Sequence, residues 1–491
     1  MTLTSALLDK LRDKSLVVAG GFIDGKWNTV SSRGKVFRVA NPATGEVLAQ
    51  ISDLSTHATQ VAIDAAHKAQ PGWAGKTAKE RADLLKKLHR MMVENADDLA
   101  TILTLEMGKP WAEARGEVLY GAAYIEWFAE EARRVYGDTI PGHQPDKRIM
   151  VLKQPVGVVG LITPWNFPNA MLARKLAPAL AVGCTVVAKP AAETPLSALA
   201  LARLMEWCGF PPGVFNVVPG TDAPAIGQEL CANPKVAKIS FTGSTNVGKI
   251  LMRQCADDVK RMSMELGGNA PFIVFEDADL DAAVDGAMIS KFRNGGQTCV
   301  CANRIYVHAD VYDAFAEKLA ARMKELKQGN GMEKGVDIGP LINEKAIEKV
   351  VELLDDARSG GGEIALGGKR SGDSLMFEPT LLKNADKTMR IAREEIFGPV
   401  APLFKFTGTD EVIELANATE FGLASYFYAK DLSKVFKVAE ALKYGMVGIN
   451  TGLISTETAP FGGVKQSGFG REGSKYGIED YLDIKYLCIS V

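Results

Sequence analysis

Between Arg81 and Leu103 the apolar residues Leu84, Leu85, Leu88, Met91, Met92, Leu99, Ile102 and Leu103 recur at three- and four-residue steps. That period predicts one amphipathic helix over 81–103. Another is expected over about 111–134, so the first 135 residues read as mainly helical after a short strand-like entry at 21–27. From Val156 the texture changes to short β-rich runs at 156–163, 185–189, 214–218, 237–241 and 261–266, with helical patterns at 197–208 and 246–256 between them. Such alternation predicts βαβ units and a doubly wound, largely parallel sheet, with ligands at the carboxyl ends of its strands. A second alternating stretch runs from Ala270 to about Asn450 and includes a long helix expected over 312–328. Two β-prone segments, 147–156 and 478–490, fit neither stretch and could pair with each other or with another subunit.

Composition narrows the partners. A chain of 491 residues with 47% hydrophobic and 24% charged residues has ample core. Its net charge of −2 gives no polycation field for nucleic acid or an anionic membrane. Seven scattered cysteines make no disulfide framework and suit a reducing cytoplasm. No signal peptide or membrane span is evident, and five unpaired histidines without a CxxC argue against a structural metal.

The candidate chemistry centres on 292–301, which sets Cys299 in a glycine-flanked turn with Arg293 six residues upstream and Cys301 two residues on. Backbone can approach a ligand closely there, and a thiolate could form. Glu265 ends a predicted buried strand before Gly267-Gly268, as an ion-paired structural group or a general base. After the run 236–241 comes Thr242-Gly243-Ser244-Thr245, a glycine turn opening a helix and therefore suited to an anion. Its G-x4-G-K spacing approaches a P-loop, but Ile250 stands where a magnesium-binding hydroxyl is required, which makes a nucleotide hydrolase the weaker reading. Lys189 ends another strand and suits either an ion pair or ribose and phosphate.

The turn 164–168, the run 241–245, Glu265-Leu266-Gly267-Gly268, Gly296-Gln297-Thr298-Cys299 and 394–399 occur in that order. Together they resemble the NAD(P)-dependent aldehyde dehydrogenase superfamily over nearly the whole chain. The resemblance implies an α/β fold: a Rossmann-type cofactor domain (1–135 and 157–265), a catalytic domain (266–465) and a β oligomerisation arm (136–156 and 466–491). A dimer or dimer of dimers is then expected. Cys299 would form a thiohemiacetal and then a thioester, Asn166 would complete the oxyanion hole, and Glu265 would activate the hydrolytic water. Trp165, Lys189, Gly243, Ser244, Leu266, Glu395 and Phe397 would hold the nucleotide.

The longer string around Cys299, with Ser455 and the tail 470–477, resembles the succinate-semialdehyde dehydrogenase branch. That implies Arg174, Arg293 and Ser455 as readers of a substrate carboxylate, with glutarate semialdehyde, one methylene longer, as the alternative. The alternative for each arginine is a structural acid partner. Ala192 stands where NAD-preferring relatives carry a glutamate, so NADP is expected to be preferred with NAD possible. Cys301 reads as a small loop residue or as a reversible disulfide partner of Cys299.

Overall fold

The computed structural model describes residues 2–28 and 34–491. Two large sheets organise the chain. The first has eight strands, in spatial order Gly468–Phe469, Arg261–Glu265, Val236–Thr242, Val158–Ile162, Thr185–Lys189, Phe215–Val217, Gly21–Ile23 and Lys26–Asn28. The five central strands are parallel and fully or largely buried, as a sheet covered by helices on both faces must be. From Val158–Ile162 the chain first moves to one side, to Thr185–Lys189, and later returns to the other side as Val236–Thr242. That reversal leaves a crevice at the carboxyl ends of the strands. The turns after Val158–Ile162 and Val236–Thr242 both open into it.

The second sheet has seven strands, ordered Glu363–Leu366, Thr380–Lys383, Val400–Phe406, Ala302–His308, Ala270–Val274, Ala424–Tyr428 and Met446–Ile449. All its neighbours are parallel except the first pair. Glu265 ends the last parallel strand of the first sheet and Ala270 begins the first strand of the second, so the glycine pair between them joins the two halves.

Several expectations are refined. The helix expected over 81–103 is two, Ala78–Glu94 and Ala96–Met107. Asn95 breaks it: its Nδ2 donates to the Met91 carbonyl at 2.8 Å, competing with the helical ladder. The helix expected to reach residue 328 stops at Met323, because Lys327 and Gln328 bond instead to the returning segment at Asp337 and Ile338. The amino-terminal region is less purely helical than expected, since Val36–Ala40 and Val47–Ser52 form a small sheet with Thr2–Leu3. Residues 147–155 and 482–490 do pair, antiparallel along nine residue pairs, with Asp138–Ile140 on the outer side. Gly468–Phe469, expected in an arm, instead closes the edge of the first sheet against Met264 and Glu265. No helix among the described residues is long and apolar enough to cross a membrane.

Candidate active site

Cys299 owes its position to the turn before it. Asn294, Gly295 and Gly296 all take left-handed backbone, with φ of 53°, 61° and 77°. Asparagine tolerates that region better than most residues, and at Gly296 a Cβ would sit 2.3 Å from the Gly398 carbonyl oxygen. The fold is closed as tightly behind Cys299: a Cβ on Gly268 would lie 2.4 Å from the Cys299 carbonyl oxygen. Gln297 locks the turn, its Nε2 donating to Asn294 O at 3.1 Å and its Oε1 accepting from Ile342 N at 3.0 Å. Glu113 accepts from the Asn294 N–H at 2.8 Å.

Asn166 reaches the same turn from the first sheet. Its Nδ2 donates to the Gln297 carbonyl at 2.9 Å, while its own carbonyl accepts from Lys109 Nζ at 2.7 Å. Lys109 is itself buried and paired with Glu117 at 2.6 Å. Glu117 also accepts from Asn169 and Ala170 N–H groups at the start of the helix Ala170–Val182. The amide is thus positioned at both its side chain and its backbone.

Cys299 lines two cavities at once. One, of about 340 Å³, includes Trp165, Asn166, Gly243, Ser244, Leu266 and Glu395 in its wall. The other, of about 360 Å³, includes Phe167, Arg174, Arg293, Ser455 and Phe461. Met171 also lines both. Burial pushes the Cys299 thiol up to about 12, with Arg174 and Arg293 opposing and Glu265 and Glu395 adding to the rise. Glu265 lines neither cavity, but its charge reaches the thiol.

Glu265 is buried, and neither of its carboxylate oxygens has a hydrogen-bond partner among the described residues. Burial first, then the charge of Glu472, holds its carboxyl well above the usual carboxylate range. Glu472 was not anticipated from the sequence. It bonds both Arg174 and Lys175 in a closed cluster, each member under 10% exposed. Burial alone would raise Glu472, but the two cations hold it below its ordinary value.

The two arginines therefore differ. Arg174 lines the second cavity, stacked over Phe461 at 4.0 Å, but its guanidinium is paired with Glu472, the structural-acid alternative. Arg293 makes no ion pair among the described residues and lies over the Phe167 ring at 5.3 Å, in the same cavity as Ser455. Arg293 is the free cation of the pair. Cys301 is buried with its sulfur 3.3 Å from Lys291 Nζ, and both Cys299 and Cys301 are free thiols.

On the first cavity's side, Ser244 caps the helix Thr245–Cys255 through the Val247 N–H, so the helix's positive end faces the opening. Lys249 lies beyond, donating to Gln466 at 2.8 Å, and is not part of that cradle, which removes the P-loop reading. Lys189 is about 5% exposed and makes no side-chain hydrogen bond or ion pair among the described residues. A buried lysine without a partner is a site awaiting an anion or hydroxyls. Neither Lys189 nor Ala192 lines the two cavities. Glu395 accepts from Gly268 N–H at 3.2 Å, and burial lifts its carboxyl to about 7. Phe397 is held at φ 56°, edge-on to Trp165 with ring centroids 5.6 Å apart. A helix end, a free buried lysine and an aromatic-walled cleft fit a dinucleotide.

A thiol between a cleft that fits a dinucleotide and a cation-bearing pocket suits a nucleotide-dependent oxidoreductase. The chain belongs to the aldehyde dehydrogenase family, whose model matches residues 27–487. It is 60% identical over 482 residues to a glutarate-semialdehyde dehydrogenase of Pseudomonas putida, covering 98% of this chain and all of that one. It is 58% identical to an NADP-dependent succinate-semialdehyde dehydrogenase, GabD, of Escherichia coli, again over 98% of this chain and all of the relative. A crystal structure of an E. coli NADP-dependent enzyme superimposes with a TM-score of 0.97 at 58% identity, covering 98% of this chain and all of that one.

The sequence reading missed Lys109, Glu117, Lys175 and Glu472. Lys109 lies between two helices, Glu117 and Lys175 within helices and Glu472 in a glycine-rich stretch, and nothing in local spacing marks any of them as buried.

Proposed function

We propose that the protein oxidises succinate semialdehyde to succinate, with NADP preferred and NAD possible. The observation that carries this is Cys299 at the junction of two cavities, one shaped for a nucleotide and one holding the unpaired guanidinium of Arg293. Charge-assisted contacts from Arg293, with Ser455 and Arg174 beside it, suit a carboxylate at the far end of the aldehyde.

In this reading the Cys299 sulfur attacks the aldehyde carbon, and the Asn166 amide stabilises the charge that develops on oxygen. A bound nicotinamide supplies the hydride acceptor. Glu265, free of hydrogen bonds that would fix it, turns toward the resulting thioester and takes the proton of the hydrolytic water. Trp165, Lys189, Gly243, Ser244, Leu266, Glu395 and Phe397 would hold the nucleotide, and Ala192 leaves room beside Lys189 for a ribose phosphate.

The sheet halves would correspond to a cofactor domain and a catalytic domain. The exposed apolar residues Met150, Leu152, Ile484, Tyr486 and Ile489 on the strands 147–155 and 482–490 support an arm that builds a dimer or dimer of dimers. Seven free thiols suit the cytoplasm.

Glutarate semialdehyde is the second reading. The second cavity, at about 360 Å³, has space for one more methylene, and a relative at 60% identity carries that name. A methylene separates substrates by only about 1–3 kcal/mol. Steady-state kinetics with succinate semialdehyde, glutarate semialdehyde and a neutral aldehyde of similar length, each with NADP and NAD, tests both. Higher kcat/KM for the neutral aldehyde would overturn the carboxylate reading; higher kcat/KM for glutarate semialdehyde would select the second.

A further inference from the structure

Lys291 lies in the last turn of the helix Leu280–Phe292 and is fully buried. A buried lysine ordinarily meets a carboxylate or several carbonyls. Among the described residues this one has a single side-chain partner, the sulfur of Cys301, at 3.3 Å. Cys301 is about 5% exposed, and its sulfur also approaches the Lys291 and Ala302 carbonyls at 3.5 and 3.6 Å. The pair is therefore an amine and a thiol enclosed together, with little room to separate.

We propose that Lys291 and Cys301 form an oxidative cross-link, a sulfenamide between the lysine nitrogen and the cysteine sulfur, with hydrogen peroxide as oxidant. In the first step the Cys301 thiol and one peroxide give a sulfenic acid and one water. In the second the lysine nitrogen bonds to that sulfur and the sulfenic oxygen leaves as a second water. One peroxide takes two electrons, and the protein loses two hydrogens. Sulfenic acids are known to condense with nitrogen in this way, and a thiol restores both side chains. Peroxide has a short route in, because Cys299 and Val300 already line the substrate cavity.

The cross-link would tie the helix end to the segment directly behind the nucleophile. That segment is otherwise held by the Cys301 N–H to Thr298 O and by Tyr426 Oη to Val300 O at 2.7 Å. The Cys299 sulfur would remain a free thiol. This inference stands on the Lys291–Cys301 contact alone and does not depend on which aldehyde is the substrate.

The test is peptide mass spectrometry after peroxide treatment of full-length wild-type protein and of Cys299→Ser. Trypsin normally cuts after Lys291, Arg293 and Arg304. The expected result in both proteins is lost cleavage at Lys291 and a species joining 262–293 to 294–304. Its mass is two hydrogens below the sum of the two peptides, and dithiothreitol reverses it. Cys301→Ser, the conservative variant, abolishes the species. A Cys299–Cys301 disulfide in wild type with normal cleavage at Lys291 would overturn the proposal. So would oxygen adducts on Cys301 without the cross-link.

Discussion

The Asn166 side-chain amide donates to the Gln297 carbonyl at 2.9 Å, two residues before Cys299, so the amide is fixed against the turn that carries the thiol. Asn166→Ala removes that donor without touching the thiol. Loss of a single oxyanion donor typically costs about 10²–10³ in kcat. Steady-state kinetics should show that loss with KM little changed. An unchanged kcat would remove Asn166 from the oxyanion hole.

Glu265→Gln separates the two halves of the reaction. A pre-steady-state burst of reduced nucleotide should survive while steady turnover collapses, and the thioester on Cys299 should accumulate in intact mass spectra. The raised carboxyl gives a sign for pH as well. Protonated Glu265 cannot act as a base, so wild-type turnover should climb as pH rises and the carboxyl ionises. That limb should be missing in the variant. Loss of the burst itself would place Glu265 before hydride transfer.

Arg293 and Arg174 should behave unlike each other. A hydrogen bond to a charged group contributes about 1.5–3 kcal/mol, so Arg293→Ala should raise KM for succinate semialdehyde by roughly 10- to 100-fold. A neutral aldehyde should be nearly unaffected. Equal effects on both substrates would show that Arg293 reads no carboxylate. Arg174→Ala leaves Glu472 with Lys175 as its one cation, and thermal unfolding should register a lower Tm alongside any change in KM.

Glu395 offers a second pH signature. Its carboxyl, lifted by burial to about 7, gains its charge as pH rises through that value. If the carboxylate accepts from nucleotide hydroxyls, KM for the nucleotide should fall across that range. Glu395→Gln should flatten the dependence. A profile unaltered by the substitution would exclude contact between Glu395 and the nucleotide.

Ala192→Glu places a negative charge near Lys189, where the extra phosphate of NADP is proposed to sit. The kcat/KM ratio for NADP over NAD should drop in the variant. An unchanged ratio would place the phosphate elsewhere.

Elements with a local signature were legible in the sequence. The strands Thr185–Lys189 and Val400–Phe406 are continuous β-prone runs, and the helix at Thr245 is announced by its glycine turn and serine cap. Cys299, Gly243 and Arg293 were visible because glycine or charge sits conspicuously beside them. Asn95 was missed as a breaker because a single side-chain bond to Met91 decides it, inside a period that continues smoothly on both sides. Glu472 and Lys175 were invisible for a different reason. Their meaning comes from a partner 297 residues away, and a buried charge looks like a surface charge until the fold is known.

The distance along the chain between Glu472 and its cations has a consequence for synthesis. The sheet carrying Asn166 and Glu265 gains its edge strand Gly468–Phe469, and Arg174 gains its counter-ion, only when residues 468–472 are available. A ribosome-bound chain that has extruded everything up to Cys299 therefore still lacks Glu472, the partner of Arg174 and Lys175. Closure of such sequence-distant contacts is slow, so catalytic competence should wait for the segment 468–472 to be made and docked.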